Sequence, residues 1–149
     1  MTNIRKNSKR RRGTALTELA VTVPFLFLLT MGVADFGRLF YHALTVTHAA
    51  GVASEFGAQD PVHSVQYTSM QTIAVADALE IPGTTATATH KCRCTANGAD
   101  VSCALDTCGG DAPRVYVRVT VENDFQTLGI YPGIPSSTMV GREAWRRVQ

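Results

Sequence analysis

No acidic residue stands before Glu18, no cysteine before Cys92, and no charge between Glu18 and Asp35. Each absence narrows what the chain can be. Arg5, Lys6, Lys9, Arg10, Arg11 and Arg12 have no counter-charge near them, and they account for the formal net charge of +2. Without these six of the fourteen bases, eight face twelve acids. A body of that sign lacks the Lys and Arg surplus with which nucleic-acid-binding domains displace phosphate counterions. The basic run reads instead as a topogenic or leader segment. Also missing are a base beside a nucleophile, carboxylates paired in a defined frame and a phosphate-binding glycine loop. His42 and His48 stand six apart on a helical pattern and fall on different faces, while His63 and His90 are isolated. Gly109-Gly110 has neither helix nor lysine beside it and reads as a turn, and Arg142, Arg146 and Arg147 read as a solvated strand face. The expectation is a protein without catalysis, cofactor, metal, nucleic acid or small-molecule substrate.

What is present begins with TALTELAVTVPFLFLLTMGVA, residues 14 to 34, twenty-one residues whose only charge is Glu18. At ~1.5 Å per residue such a helix spans roughly 31 Å, about the hydrocarbon thickness of a bilayer. The bases lie before it and only Arg38 follows closely, so the positive-inside rule places the N-terminus in the cytoplasm and the C-terminal part across the membrane. A secretory signal cleaved after Ala34, behind Gly32-Val33, is the alternative. Against it stand the length of the apolar run, its carboxylate and the helical pattern that continues beyond. A buried core helix is the weaker alternative, because so short a chain could not cover a segment apolar all round.

Leu39, Ala43, Val46, Ala50, Ala53 and Phe56 continue the three-to-four spacing, which predicts one helix over 14 to 57. Gly57, as a left-handed cap, and Asp60-Pro61 supply the stop. The small residues Ala43, Ala49, Ala50, Gly51 and Ala53 permit close packing against a sheet or another helix. A second helix is predicted over 69 to 80 with Ser69 as cap, ended by Pro82-Gly83. The period then changes to two, predicting strands in TTATATHKC, DVSCAL, RVYVRVTVE (with Val115, Val117, Val119 and Val121 on one face) and 137 to 147. The fold class is α+β: a long N-terminal helix, transmembrane in its first half, on a small antiparallel sheet. The division expected is a leader at 1 to 13, the span at 14 to 34, its helical continuation at 35 to 58 and a head at 59 to 149.

Cys92, Cys94, Cys103 and Cys108 all lie in the hairpin and the loop after it, as disulfides would in a domain outside the cytoplasm. A two-residue turn at Asn97-Gly98 would set Cys92 opposite Cys103 and leave Cys94 for Cys108. A one-step bulge would instead pair Cys94 with Cys103 and Cys92 with Cys108. Zinc is a further alternative for the four thiols, although structural zinc sites favour C-x2-C knuckles.

A basic leader ending in Gly13, then Thr14-Ala15-Leu16-Thr17-Glu18 and an apolar run, resembles the G-x4-E processing site of type IV pilin-like precursors. Glu18-Leu19-Ala20, Pro24, FLFLLTMGVA and Asp35-Phe36-Gly37-Arg38-Leu39-Phe40-Tyr41 together resemble the TadE-like pseudopilins of the tight-adherence (Flp) pilus system, over about 45 residues. The resemblance implies a pilin-like fold and cleavage after Gly13 by a prepilin peptidase, leaving Thr14 as the new terminus. It further implies a single-pass protein of the bacterial inner membrane with a periplasmic head, partnered by other pilins and pseudopilins. Glu18, Pro24, Asp35, Phe36, Gly37 and Arg38 would serve assembly and helix packing. Leu19, where major Flp pilins carry an aromatic residue, implies a minor pseudopilin.

Overall fold

The computed structural model describes residues 8 to 95, 98 to 104 and 107 to 149, with side chains from Ala15 onward. Its elements are helix α1 (Ser8–Gly57), a 3-10 turn (His63–Val65), helix α2 (Tyr67–Asp77), and strands β1 (Thr85–Arg93), β2 (Asp100–Val101), β3 (Arg114–Gln126) and β4 (Ser137–Arg147). The chain divides into two compact units, one ending at Arg38 and the other running from Leu39 to Gln149.

In the first unit α1 is helical through Pro24, and its apolar side chains face outward all round: Leu19, Val21, Phe25, Leu26, Phe27 and Val33 are all more than half exposed. The helix is long and apolar enough, by length and composition, to cross a membrane.

In the second unit an α+β head is built on an antiparallel sheet of order β2-β1-β3-β4. The α1 stripe Val46, Ala49, Ala50 and Ala53, each at most 1% exposed, packs with Val117, Val119 and Val121 of β3. The spacing of three and four residues puts those side chains on one face of α1, while alternation puts the valines on one face of β3. Met70, Ala74 and Ala78, in and just after α2, complete the core together with Ile81 and Ala88. Alanines on the helix let its backbone approach the sheet closely, and Gly57 takes this furthest. A Cβ there would collide with Met70 Sδ and lie 3.0 Å from Val117 Cγ1.

Several expectations change. Gly57 ends the helix without a left-handed backbone, since the positive-φ residues are Gly83, Gly109, Gly110 and Gly133; its role is close approach. Helix α2 starts at Tyr67 with no side-chain cap, so Ser69 lies inside it, and it stops at Asp77 rather than 80. The first hairpin is not in the register that a turn at Asn97-Gly98 would set, and the Gly98 N–H donates to the Thr95 carbonyl at 3.1 Å. Its register sets Cys92 against Val101 and Arg93 against Asp100, and β2 is only two residues long. Asn97 itself lies outside the described residues, as does the leader up to Asn7.

Candidate functional site

The residues singled out in the N-terminal segment are carried by one helix rather than gathered in a pocket. Gly13 and Thr14 lie within the helical backbone of α1, and their side chains are outside the described set. Glu18 is on the exposed helix surface, where its carbonyl accepts a hydrogen bond from Thr22 Oγ1 at 2.7 Å. Its carboxylate bonds to no described side chain. Pro24 lacks the N–H that would bond the carbonyl of Ala20, which leaves an acceptor open inside the apolar run.

Asp35 and Arg38 form an i,i+3 pair at 3.3 Å, with the Asp35 side chain 8% exposed and that of Arg38 43%. Phe36 is 71% exposed, and Gly37 has open space where a Cβ would be. The four consecutive positions therefore point around the helix, with one charge pair, one bare aromatic and one bare backbone. No single cleft collects them.

Both disulfides are formed, Cys92 to Cys103 and Cys94 to Cys108, each with Cα atoms 5.2 Å apart. This is the pairing a two-residue turn would give, reached through another register: Cys103 lies two residues past Val101, the partner of Cys92, and the chain curls back to it. Cys108 begins a tight turn whose N–H donates to the Asp111 carbonyl at 2.8 Å. Gly109 and Gly110 both take positive φ, which this turn requires. With no free thiol, the zinc alternative is set aside.

The histidines, scattered in sequence, each find a partner within the head. His42 Nδ1 meets Asn123 Oδ1 at 2.8 Å, and Asn123 Nδ2 donates to the Pro82 carbonyl at 3.0 Å and to Thr84 Oγ1 at 3.1 Å. His48 pairs with Asp77 at 2.7 Å, His63 with Asp60 at 2.8 Å, and His90 stacks on Tyr67 and shares a hydrogen bond with its hydroxyl. His42, His48 and His90 join separate segments, while His63 pairs with a residue three positions before it. Asp60 is held below the usual carboxylate range, chiefly by the His63 backbone N–H and then by the His63 ring. Among the described residues no group of three or more His, Cys, Asp or Glu could hold a metal ion.

The sheet face away from α1 carries a cluster that sequence reading missed. Trp145 of β4 lies across β3, with the Arg93 guanidinium carbon 3.9 Å from its ring centre and that of Arg118 at 5.5 Å. Arg118 Nη2 donates to Glu143 Oε2 at 2.7 Å, and the indole N–H donates to the same carboxylate. Arg93 in turn donates to Asp100 at 2.7 Å, which holds that carboxyl below its ordinary pKa with a smaller contribution from Lys91. A chain of charge and ring contacts thus ties all four strands. Arg146, read as solvated, reaches Glu55 of α1 at 2.8 Å.

No curated protein and no solved structure matches the chain. Residues 13 to 54, from the predicted cleavage glycine through the alanine stripe of α1, match the family model described as TadE-like protein.

Proposed function

We propose that the chain is a minor pseudopilin of a tight-adherence pilus, cut after Gly13 by a prepilin peptidase and acting in pilus assembly, adhesion or secretion without catalysing a reaction. One observation carries the reading: the TadE-like match begins at Gly13, includes Glu18, and falls on an outward-facing apolar helix. Glu18 sits about one turn into that helix. An unpartnered carboxylate costs about 2.5–3.5 kcal/mol at the centre of a membrane helix and less near its end. Cleavage before Thr14 creates an amine of intrinsic pKa about 7.7–8.0, cationic at neutral pH, four residues from Glu18. Pairing of that amine with Glu18, in the same chain or a neighbour's, relieves two charges at membrane depth.

The head lies in the periplasm, where its two disulfides persist, and it caps, adapts or primes the filament. Glu18→Ala tests the assembly step. The variant inserts normally but does not co-purify with other pilins after mild extraction, whereas changing Gly13 to a bulkier residue leaves the full-length precursor in the membrane. Normal co-purification of Glu18→Ala would refute the pairing mechanism.

A further inference from the structure

Between Asp124 and Arg142 the sequence carries no charged residue. This stretch is the far end of the β3-β4 hairpin, whose ladder closes at Gln126 and Ser137. Beyond the closure, the loop turns its apolar side chains outward. Ile130 is 97% exposed, Ile134 59% and Leu128 57%, and Met139 on the adjoining strand is 63% exposed. Pro132 and Pro135 restrict the loop backbone, which lowers the ordering entropy of holding these side chains outward, and Gly133 supplies the left-handed residue between them. Clustered large apolar residues on a surface mark a place where something apolar covers them.

The fold says which end of the head this is. Val117, near the start of β3, sits beside Gly57 at the end of α1, while Phe125, near the end of β3, packs edge-on against His42 with ring centres 5.2 Å apart. Within the head, β3 therefore runs antiparallel to α1. The hairpin tip lies at the end where the chain enters the head at Leu39, five residues after the apolar run closes at Ala34. At this same end α1 exposes Phe40 and Leu44.

The geometry points to the β3-β4 tip as a membrane-interface contact, with Ile130 and Ile134, flanked by Leu128 and Tyr131, seated in the headgroup region of the bilayer. Tethering selects lipid as the occupant. A head that begins five residues after the apolar run meets the bilayer surface at a high effective concentration. The chemistry fits the interface rather than the hydrocarbon core. An irregular loop has backbone groups that need water, which the core denies them, whereas the interface takes apolar side chains and an amphipathic tyrosine to a depth of roughly 5–10 Å. The absence of charge over the whole stretch removes the main penalty for such seating.

This inference rests on residues 15 to 34 crossing a membrane, and one experiment separates the two claims. The full chain, with its single tryptophan removed as Trp145→Phe, is reconstituted into phosphatidylcholine–phosphatidylglycerol vesicles and given one reporter, Leu26→Trp, Ile130→Trp or Ala112→Trp. With lipids brominated near the headgroup, Ile130→Trp emits to the blue, loses most of its emission and is shielded from aqueous iodide. Ala112→Trp, at the opposite end of the head, is open to iodide and indifferent to bromine. Leu26→Trp is quenched by lipids brominated deep in the chain. Ile134→Trp repeats the Ile130 result from an independent position. If both tip reporters behave like Ala112→Trp while Leu26→Trp is quenched, the interface contact is wrong and the span stands. Tip reporters shielded from iodide but untouched by bromine would mean a protein partner and equally overturn it. An unquenched Leu26→Trp overturns both claims.

Discussion

Asn123 shows at residue scale how a polar side chain can hold a core together. It follows Val117, Val119 and Val121 on the inward face of β3 and is 1% exposed, a position where alternation leads one to expect another apolar residue. Its amide accepts from the His42 ring and donates to the turn after Ile81, joining α1, β3 and the start of β1. Asn123→Leu keeps the branching of the side chain but strands these partners, so the head should lose about 1–3 kcal/mol in urea unfolding. A loss no larger than a surface substitution would show the network to be idle. Gly57→Ala is the complementary case. Alanine is the better helix former by about 1 kcal/mol, yet its methyl would meet Met70 and Val117. Overpacking costs typically about 1–3 kcal/mol, so the variant should unfold at lower urea, with the midpoint as the readout. Asp100 sets an acid limit. Its pKa is lowered by Arg93 and Lys91, so its contribution is present above the ordinary carboxylate value of about 3.9 and fades as pH falls through the lower folded value. The Asp100→Asn deficit should be full at neutral pH and shrink below pH ~4.

At the scale of elements, the disulfides replace a ladder that the sequence does not sustain. β2 contributes only Asp100–Val101, and two sulfur bridges and a glycine turn at Gly109-Gly110 tie down the described part of the segment from Cys94 to Asp111. Replacing Cys94 and Cys108 together by alanine should cost about 2–4 kcal/mol while leaving β3 and β4 protected in hydrogen exchange. Equal loss of protection in those strands would show that the bridges hold the whole sheet. Much of this architecture was legible from periodicity: the helical spacing through Phe56, the alternation from Val115 to Val121 and the last strand at 137 to 147 are local patterns, and each corresponds to an element. The hairpin register was not legible. A two-residue turn at Asn97-Gly98 would set Cys92 opposite Cys103, whereas the ladder sets it opposite Val101, a shift of two residues that no local window contains. The outer cluster escaped for the same reason. Trp145, Arg93 and Arg118 are far apart in sequence and meet only because β3 lies between β1 and β4.

For the whole molecule, a helix apolar and long enough to cross a membrane and a head with two disulfides ask for two different solvents, and the charges at Asp35 and Arg38 close the apolar run. The basic run before residue 14, against the single Arg38 shortly after the apolar run, favours a cytoplasmic N-terminus. A reporter active only in the periplasm should therefore work when fused after Gln149, and activity of a cytoplasm-only reporter at that site would reverse the topology. The TadE-like match covers residues 13 to 54 and so ends within α1, before α2 and the sheet. The most direct test is the mature N-terminus, read by intact-mass and N-terminal sequencing of protein extracted from bacterial membranes that carry a prepilin peptidase. Processing as a pseudopilin predicts a chain beginning at Thr14 with both disulfides intact. A chain beginning at Met1 would make the protein an unprocessed anchor, and one beginning at Asp35 a secreted domain; either would contradict the account.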